Sequence, residues 1–191
     1  MLRRSLLSVP ALAVFAPILT QARAAVRAAI PGKVAADADR EGKMRAIGLS
    51  TTRYKVLTDD TAGALFVLEQ ANDRKGGPPR HLHHGEDELF FVLEGDYVVE
   101  VGDTRHWLAP GDCVLGPRGI PHAWAFAGTT PGRLLISFAP AGKMEAFFAQ
   151  RGKTLKPGQY GSTAQDAAVM RAFGMELIGP GVLPEHLVRP A

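Results

Sequence analysis

The chain has almost no cysteine, since Cys113 is the only one among 191 residues. A single cysteine excludes an intramolecular disulfide framework and a zinc site built from several thiolates. We interpret Cys113 as a small buried residue on a strand and not as a nucleophile, because its neighbours suggest no activating partner. Charged residues are also few, at 21%, while 46% of the residues are hydrophobic. The chain can therefore bury a core, and global disorder is excluded.

The N-terminal segment lacks an apolar run long enough to span a membrane. The stretch from Leu6 to Leu19 is interrupted by two prolines, whereas a membrane helix needs about 20 continuous apolar residues. Two adjacent arginines precede this stretch, and Ala22 and Ala24 supply the small side chains that signal peptidase requires. We therefore expect residues 1–24 to be a cleaved signal peptide, with the mature protein periplasmic or secreted and without a membrane anchor. The arginine pair fits the twin-arginine route and the general route, and both stay open.

An excess of one charge sign is absent outside residues 1–24. The whole chain has 22 basic and 19 acidic side chains and a formal net charge of +3. Three of the arginines, but no acidic residue, lie in the first 24 positions, so the remainder has 19 side chains of each sign. That remainder contains no basic run that alternates with aromatic residues. Nucleic acid is therefore not an expected partner.

Short β-type runs dominate residues 46–140, and turn sequences such as Pro110-Gly111-Asp112 separate them. Runs at a spacing of roughly 8–12 residues, with no helix-length segment between them, predict an all-β sandwich or barrel and not a parallel sheet. Residues 25–45 are rich in alanine and are predicted to form a linker or N-terminal arm. Apolar residues at helical spacing predict that residues 141–191 are a helical extension, which would cover an edge of the barrel.

Three histidines and one carboxylate form the candidate metal site. His81 and His83 are two residues apart, so on a strand both imidazoles project from one face. Glu88 opens the next predicted strand, and His122 stands at the head of a later one. Three neutral imidazoles and one carboxylate suit Fe, Mn, Ni, Cu, Co or Zn. They also leave coordination positions open for water, substrate or dioxygen.

The spacing of these residues resembles the two sequence motifs of the cupin superfamily. The matching patterns are His81-x-His83-x4-Glu88-x6-Gly95 and Gly111-x5-Pro117-x-Gly119-x2-His122. The resemblance implies a small antiparallel jelly-roll β-barrel in which His81, His83, Glu88 and His122 bind one divalent transition metal ion. The C-terminal tail is similar to that of single-domain bacterial cupins called quercetinase-like. The family also implies, by habit, a homodimer.

One departure from the second motif concerns the predicted pocket. The motif usually has an asparagine four residues after its histidine, and this chain has Phe126 there. By strand alternation, Trp124 and Phe126 share the face of His122, while Phe90 and Val92 share the face of Glu88. We expect these four residues to form an apolar pocket around the metal, suited to an aromatic or hydrophobic small molecule. They are equally compatible with simple filling of the barrel.

Other polar residues near the motifs are interpreted as structural. On a strand, His84 would point to the face opposite its two neighbours, so it is expected to be solvated or to support a ligand from outside. Glu86 and Asp87 are expected to be corner residues in water. His106 and His186 lie outside both motifs and are not expected to bind the metal.

These features predict a metal-dependent oxidoreductase of the dioxygenase type that acts on a small aromatic or enolic substrate. Glu88, as a mobile carboxylate ligand, is also the candidate base for a substrate hydroxyl. Two alternatives use the same scaffold and stay open, because one fold hosts many chemistries. The first is an exported protein that binds a small ligand without catalysis, and the second is a metal-dependent isomerase or lyase.

Overall fold

A computed structural model describes residues 32–155, 157–159 and 163–189. The predicted signal peptide and the first residues of the predicted arm lie outside this part of the chain. The segment just before the first strand is held to the sheets by side chains, because the backbone N–H of Tyr54 donates to a carboxylate oxygen of Asp39 at 2.6 Å. No helix within the described residues is long and apolar enough to cross a membrane.

Eleven strands within the described residues form two antiparallel sheets. The larger sheet has six strands in the order β1-β2-β3-β10-β5-β8. These strands are β1 (Arg45–Ile47), β2 (Ser50–Val56), β3 (Phe66–Asn72), β5 (Asp87–Glu94), β8 (Cys113–Gly116) and β10 (Gly132–Ala139). The smaller sheet has five strands in the order β11-β4-β9-β6-β7. These are β4 (Arg80–His83), β6 (Tyr97–Val101), β7 (Thr104–Leu108), β9 (His122–Phe126) and β11 (Met175–Gly179).

The two sheets pack face to face as a jelly-roll sandwich, so the predicted all-β antiparallel fold is confirmed. The hydrogen-bonded ladders of the described strands make two separate sheets and not one closed barrel. Alternation explains the packing, because β5 and β10 each bury every second side chain over most of their length. The core between the sheets contains Phe66, Leu68, Phe90, Val92, Tyr97, Phe126, Leu134 and Ile136, all at most 1% exposed.

The C-terminal segment contains two helices and a strand. The helices are α1 (Met144–Thr154) and α2 (Thr163–Ala172), and short 3-10 turns lie at Thr58–Thr61 and Pro184–Leu187. The helical prediction for this segment did not include β11, which pairs with β4 so that Met175 lies opposite His83 and Leu177 opposite His81. The tail therefore supports the strand that carries two candidate metal ligands.

Candidate metal centre

The four candidate ligands lie between the two sheets. His81 and His83 project from the same face of β4, and His81 is paired in register with His122 on the neighbouring strand β9. Glu88 comes from β5 of the other sheet. All four side chains are buried, with exposed fractions of 6% or less. A site that the sequence divides between two distant motifs is therefore assembled where the sheets face each other.

The donor atoms converge on one point. Glu88 Oε2 lies 2.9 Å from His122 Nε2, 3.1 Å from His83 Nε2 and 3.9 Å from His81 Nε2. One donor atom from each of the four residues lies within 4.8 Å of the other three. Donors bound to a single ion at roughly 2.0–2.2 Å are separated by up to about 4.4 Å, so a small inward movement closes the set on an ion. The residues fit a metal ion of the type that three imidazoles and a carboxylate prefer.

Charge and burial in the site set the protonation states of Glu88, His81 and His83. Burial, together with neighbouring His83 and His122, lowers the pKa of His81 to about 3. Burial alone would raise the pKa of Glu88, but interactions with His122 and His83 outweigh it and hold the pKa well below its usual value. Burial alone would lower the pKa of His83, but interactions with Glu86 and Glu88 raise it. Glu88 is therefore ionised and His81 neutral at neutral pH, as metal ligation requires.

Backbone carbonyls orient two of the three imidazoles. His81 Nδ1 lies 2.9 Å from the carbonyl oxygen of Pro79, and His122 Nδ1 lies 3.0 Å from that of Ile120. Each acceptor is two residues upstream of its histidine. A donor hydrogen on Nδ1 leaves the lone pair on Nε2, which is the atom that faces the site.

The third imidazole, His83, has a carboxylate at its outer nitrogen. Glu86 Oε2 lies 3.6 Å from His83 Nδ1. The expectation that Glu86 is a solvated corner residue is wrong, because only 6% of its surface is exposed. Strand alternation could not have found it, because β5 begins at Asp87 and Glu86 precedes the strand. Its neighbour Asp87 is half-buried and pairs with Arg118 at 2.7 Å.

A cavity of about 60 Å³ opens beside the ligands. His81, His83 and Glu88 form its polar end, and Trp124 lies in its wall. Most of the remaining wall is apolar, with Phe138, Met144, Phe147, Phe148, Met170 and Met175 in it. The helices α1 and α2 and the strand β11 supply five of these six residues.

Two polar side chains also reach the cavity. Gln70 on β3 and Arg151 on α1 belong to its lining, and Arg151 is 6% exposed. The guanidinium of Arg151 pairs with the carboxylate of Asp166 on α2 at 2.6 Å. This buried ion pair joins the two helices that cover the cavity.

Three of the four predicted pocket residues lie elsewhere. Trp124 lines the cavity, but Phe90, Val92 and Phe126 are packed in the core between the sheets, each at most 1% exposed. Phe90 contacts the ring of His122 edge-on at 5.8 Å and does not line the cavity. Strand alternation correctly placed these residues on the inner faces of the sheets. It could not predict the cavity, because residues of the C-terminal helices form much of the cavity wall.

The remaining polar residues of the motif region do not join the described site. His84 is exposed and lies 3.9 Å from Glu176, and His186 lies 4.0 Å from Glu100. His106 is half-buried on β7. Cys113 is exposed, which contradicts the expected burial, because β8 is an edge strand of its sheet.

Comparison with known proteins agrees with the motifs. The family described as the cupin domain matches residues 72–138. Germin-like protein 1 of Brassica napus is 33% identical over 72 residues, which are 35% of this chain and 35% of that protein. An oxidoreductase of Arthrobotrys oligospora is 26% identical over 103 residues, which are 53% of this chain and 39% of that protein. The chain thus spans well under half the length of these curated relatives.

Solved structures of similar proteins include two bacterial ones. The structure of KdgF from Halomonas sp. has a TM-score of 0.49 and 21% identity, over 57% of this chain and 94% of that chain. An RmlC-like cupin from Shewanella frigidimarina has a TM-score of 0.47 and 22% identity, over 54% of this chain and 87% of that chain. The family match covers both motifs, and the structure brings together the four residues that the motifs single out. The chain is therefore similar to the cupin superfamily over residues 72–138.

Proposed function

We propose that the protein is an exported, metal-dependent oxidoreductase of the dioxygenase type that acts on a small aromatic or enolic substrate. The observation that carries the proposal is the buried set of three histidines and one glutamate at the polar end of an otherwise apolar cavity. The similarity to an oxidoreductase of Arthrobotrys oligospora supports the same class of reaction.

The four ligands would hold one divalent transition metal ion. When bound, a redox-active ion such as Fe, Mn, Ni, Cu or Co supplies electron transfer between a substrate and dioxygen, whereas Zn supplies only Lewis acidity. The protein's part is to hold the three imidazoles in place and to keep water away from the reacting groups. Both sheets contribute ligands to the site.

Glu88 is the residue proposed to act on the substrate's acidic hydrogen. It is ionised in the site, so its oxygens can accept a hydrogen bond from a substrate hydroxyl. Its lowered pKa makes it a weak base, and full transfer of the proton to Glu88 therefore requires an acidic hydroxyl. Enols and phenols that carry electron-withdrawing groups are acidic in this sense, which favours them over simple alcohols.

The cavity limits the size of the substrate. Its volume of about 60 Å³ is less than half of the about 150 Å³ of an engineered apolar cavity that binds benzene. A small enolic molecule is therefore accommodated more readily than a single aromatic ring. A ring would need a wider cavity, and the ion pair between Arg151 and Asp166 joins the two helices that cover it.

Metal analysis and oxygen uptake test the proposal together. Purified protein should contain about one transition metal ion per chain, and His81→Ala and His122→Ala should lose it while circular dichroism shows that the sheets remain. His84→Ala is the matched control, because His84 is an exposed neighbour and should leave the metal content unchanged. Wild-type protein that takes up no transition metal would contradict the proposal.

Oxygen consumption then separates the function classes. A panel of small enols, catechols and flavonols should include compounds that drive oxygen uptake by the loaded wild type and not by His122→Ala. Tight binding of a panel member without any oxygen uptake would favour a binding protein. Conversion of a panel member without oxygen uptake would favour an isomerase or lyase.

Export, partners and assembly are part of the same proposal. We propose that the mature chain starts after Ala24, is periplasmic or secreted, binds no nucleic acid and forms a homodimer. N-terminal sequencing of the protein from the cell envelope or medium should begin at Ala25. A mature N-terminus at Met1 in the cytoplasm would contradict the export.

A further inference from the structure

The outer nitrogens of the three histidine ligands have different partners. Those of His81 and His122 are within hydrogen-bond distance of neutral backbone carbonyls, at 2.9 and 3.0 Å. The outer nitrogen of His83 faces the carboxylate of Glu86 at 3.6 Å. One ligand of the three is therefore oriented by a negative charge and not by a carbonyl dipole.

The atoms that face each other at 3.6 Å are buried and lack a hydrogen bond. Within the part of the chain that the structure describes, neither His83 Nδ1 nor Glu86 Oε2 has a hydrogen-bond partner. A buried donor and a buried acceptor without partners are costly, and a rotation of the imidazole by a few tenths of an ångström at Nδ1 would join them. His83 Nε2, on the opposite side of the ring, also lacks such a partner and points at the site.

Glu86 is itself held in place by the start of α1. The backbone N–H groups of Gly85 and Lys143 hydrogen-bond to its carboxylate, and Lys143 is the residue that caps the N-terminus of the helix. Gly142 has a φ of +52°, and a Cβ at this position would lie 1.7 Å from Glu86 Oε1. The backbone before α1 therefore closes on the Glu86 carboxylate, and only glycine leaves room for it.

We propose that Glu86 is a positioning residue for the metal centre, which accepts a hydrogen bond from His83 Nδ1 and so directs His83 Nε2 at the ion. The inference rests on the metal binding proposed above. It also assigns a role to the segment before α1, because that segment fixes Glu86. The ligand His83 on β4 is thus connected through one carboxylate to the helix that covers the cavity.

The affinity for Co²⁺ tests this role without any substrate. Glu86→Ala should bind Co²⁺ about 10–100-fold more weakly than wild type, which is the usual effect of removing a partner of a ligating histidine. Glu86→Gln keeps an oxygen acceptor and should recover part of the loss. Glu176→Ala is the matched control, because Glu176 is an exposed carboxylate beside the non-ligand His84. The visible spectrum of the bound Co²⁺ and the melting temperature are recorded for each variant.

A second measurement locates the effect at His83. In Zn²⁺-loaded protein, the Nδ1–H protons of all three ligands should be protected from exchange with water in ¹H–¹⁵N spectra. Glu86→Ala should speed exchange at His83 and leave His81 and His122 unchanged. This signature distinguishes positioning of one ligand from general loosening of the fold, which would affect all three.

Gly142→Ala provides an independent route to the same loss, because the added methyl group displaces the Glu86 carboxylate. Gly111→Ala is its control, since Gly111 also has a positive φ, +96°, but its Cβ would meet nothing within 4 Å. Gly142→Ala should weaken Co²⁺ binding and Gly111→Ala should not.

Two results overturn the inference while leaving the proposed function intact. The first is wild-type Co²⁺ affinity in Glu86→Ala, and the second is a loss that Glu86→Gln does not reduce at all. Failure of the wild type to bind Co²⁺ or Zn²⁺ would instead overturn the metal centre itself, and the inference with it.

Discussion

Phe126 occupies a position where the second cupin motif usually has an asparagine, and its surroundings account for the aromatic side chain. The ring is 1% exposed and contacts Tyr97 at 5.4 Å between centroids. Cβ atoms built on Gly128 and Gly132 would lie 2.8 and 2.6 Å from the ring. The ring therefore fills the space that these glycines leave, and it contributes to the core and not to the cavity.

Phe126→Asn, which restores the usual motif residue, should destabilise the protein. The change removes a buried ring and leaves a buried amide without a partner, so we expect a loss of about 3–5 kcal/mol in the free energy of unfolding. Phe126→Leu, which keeps the site apolar, should cost less. Urea unfolding at neutral pH measures both variants. Equal stability of Phe126→Asn and wild type would contradict the tight packing of the ring in the core.

The candidate ligands could be predicted from the sequence because the motif spacing indicates which residues share a strand face and in what order the strands follow. His81 and His83 share a face by alternation alone, and the structure confirms that they meet Glu88 and His122. The burial of Glu86 could not be predicted in the same way. It depends on Gly142 and Lys143, which approach from a part of the chain that no local pattern connects to the first motif.

Strands β2, β3 and β10 are joined on one face by charges around Glu69. This carboxylate is 1% exposed and lies 3.0 Å from Arg53, 3.3 Å from Lys55 and 2.9 Å from Arg133. Burial alone would raise the pKa of Glu69, but hydrogen bonds from Arg133 and the charge of Lys55 outweigh it and hold the pKa below 4.5. The folded state is therefore stabilised by the ionised form.

Glu69→Gln should lower the free energy of unfolding by about 2 kcal/mol at pH 7, less than for a fully buried pair because the cations are partly exposed. A depressed folded-state pKa means that this contribution is complete above the unfolded pKa and is lost as the pH falls through the folded pKa. The difference between wild type and Glu69→Gln should therefore shrink below about pH 4.5. Denaturant unfolding between pH 7 and pH 3 measures it, and a difference independent of pH would contradict the role of the ionised carboxylate.

The pair formed by Arg151 and Asp166 controls how firmly α2 covers the cavity. Asp166→Asn leaves a buried guanidinium without its counter-charge, and we expect a loss of about 3 kcal/mol, at the low end for buried pairs. Hydrogen exchange measured by mass spectrometry should become faster in peptides covering α2. Peptides from β6, in the interior of the smaller sheet, are the internal control. Unchanged exchange in α2 would show that the helix is held by its apolar contacts alone.

Among the elements, β11 shows where prediction from sequence stops. The short run Met175–Gly179 carries no signal that distinguishes a strand in a sheet from an extended tail. It becomes a strand by pairing with β4, far back in the chain. The cavity could not be predicted for the same reason, which is its dependence on distant parts of the chain. Residues of α1, α2 and β11 form much of its wall, whereas the predicted pocket used only the alternation of β5 and β9.

At the scale of the molecule, the candidate metal centre lies between the two sheets. Three ligands come from β4 and β9 of the smaller sheet, and Glu88 comes from β5 of the larger one. The apolar core extends well beyond this point, with Tyr54, Phe66 and Leu68 buried on the larger sheet. The sandwich should therefore fold without metal, and an ion bound between the sheets should stabilise it further because it binds only the folded state.

Metal removal and return test this connection. Chelator-treated wild type should keep its far-ultraviolet circular dichroism, and Ni²⁺ at 100 times its dissociation constant should add about 2.7 kcal/mol to the free energy of unfolding. For a chain of this length, that corresponds to a rise in melting temperature of about 5–10 °C. His84→Ala should show the full rise, and His122→Ala, measured against its own metal-free baseline, should show none. An equal rise in the melting temperature of His122→Ala would show that the stabilising ion binds elsewhere. If only His122→Ala lacks the rise, the added stability depends on His122, which connects β9 to Glu88.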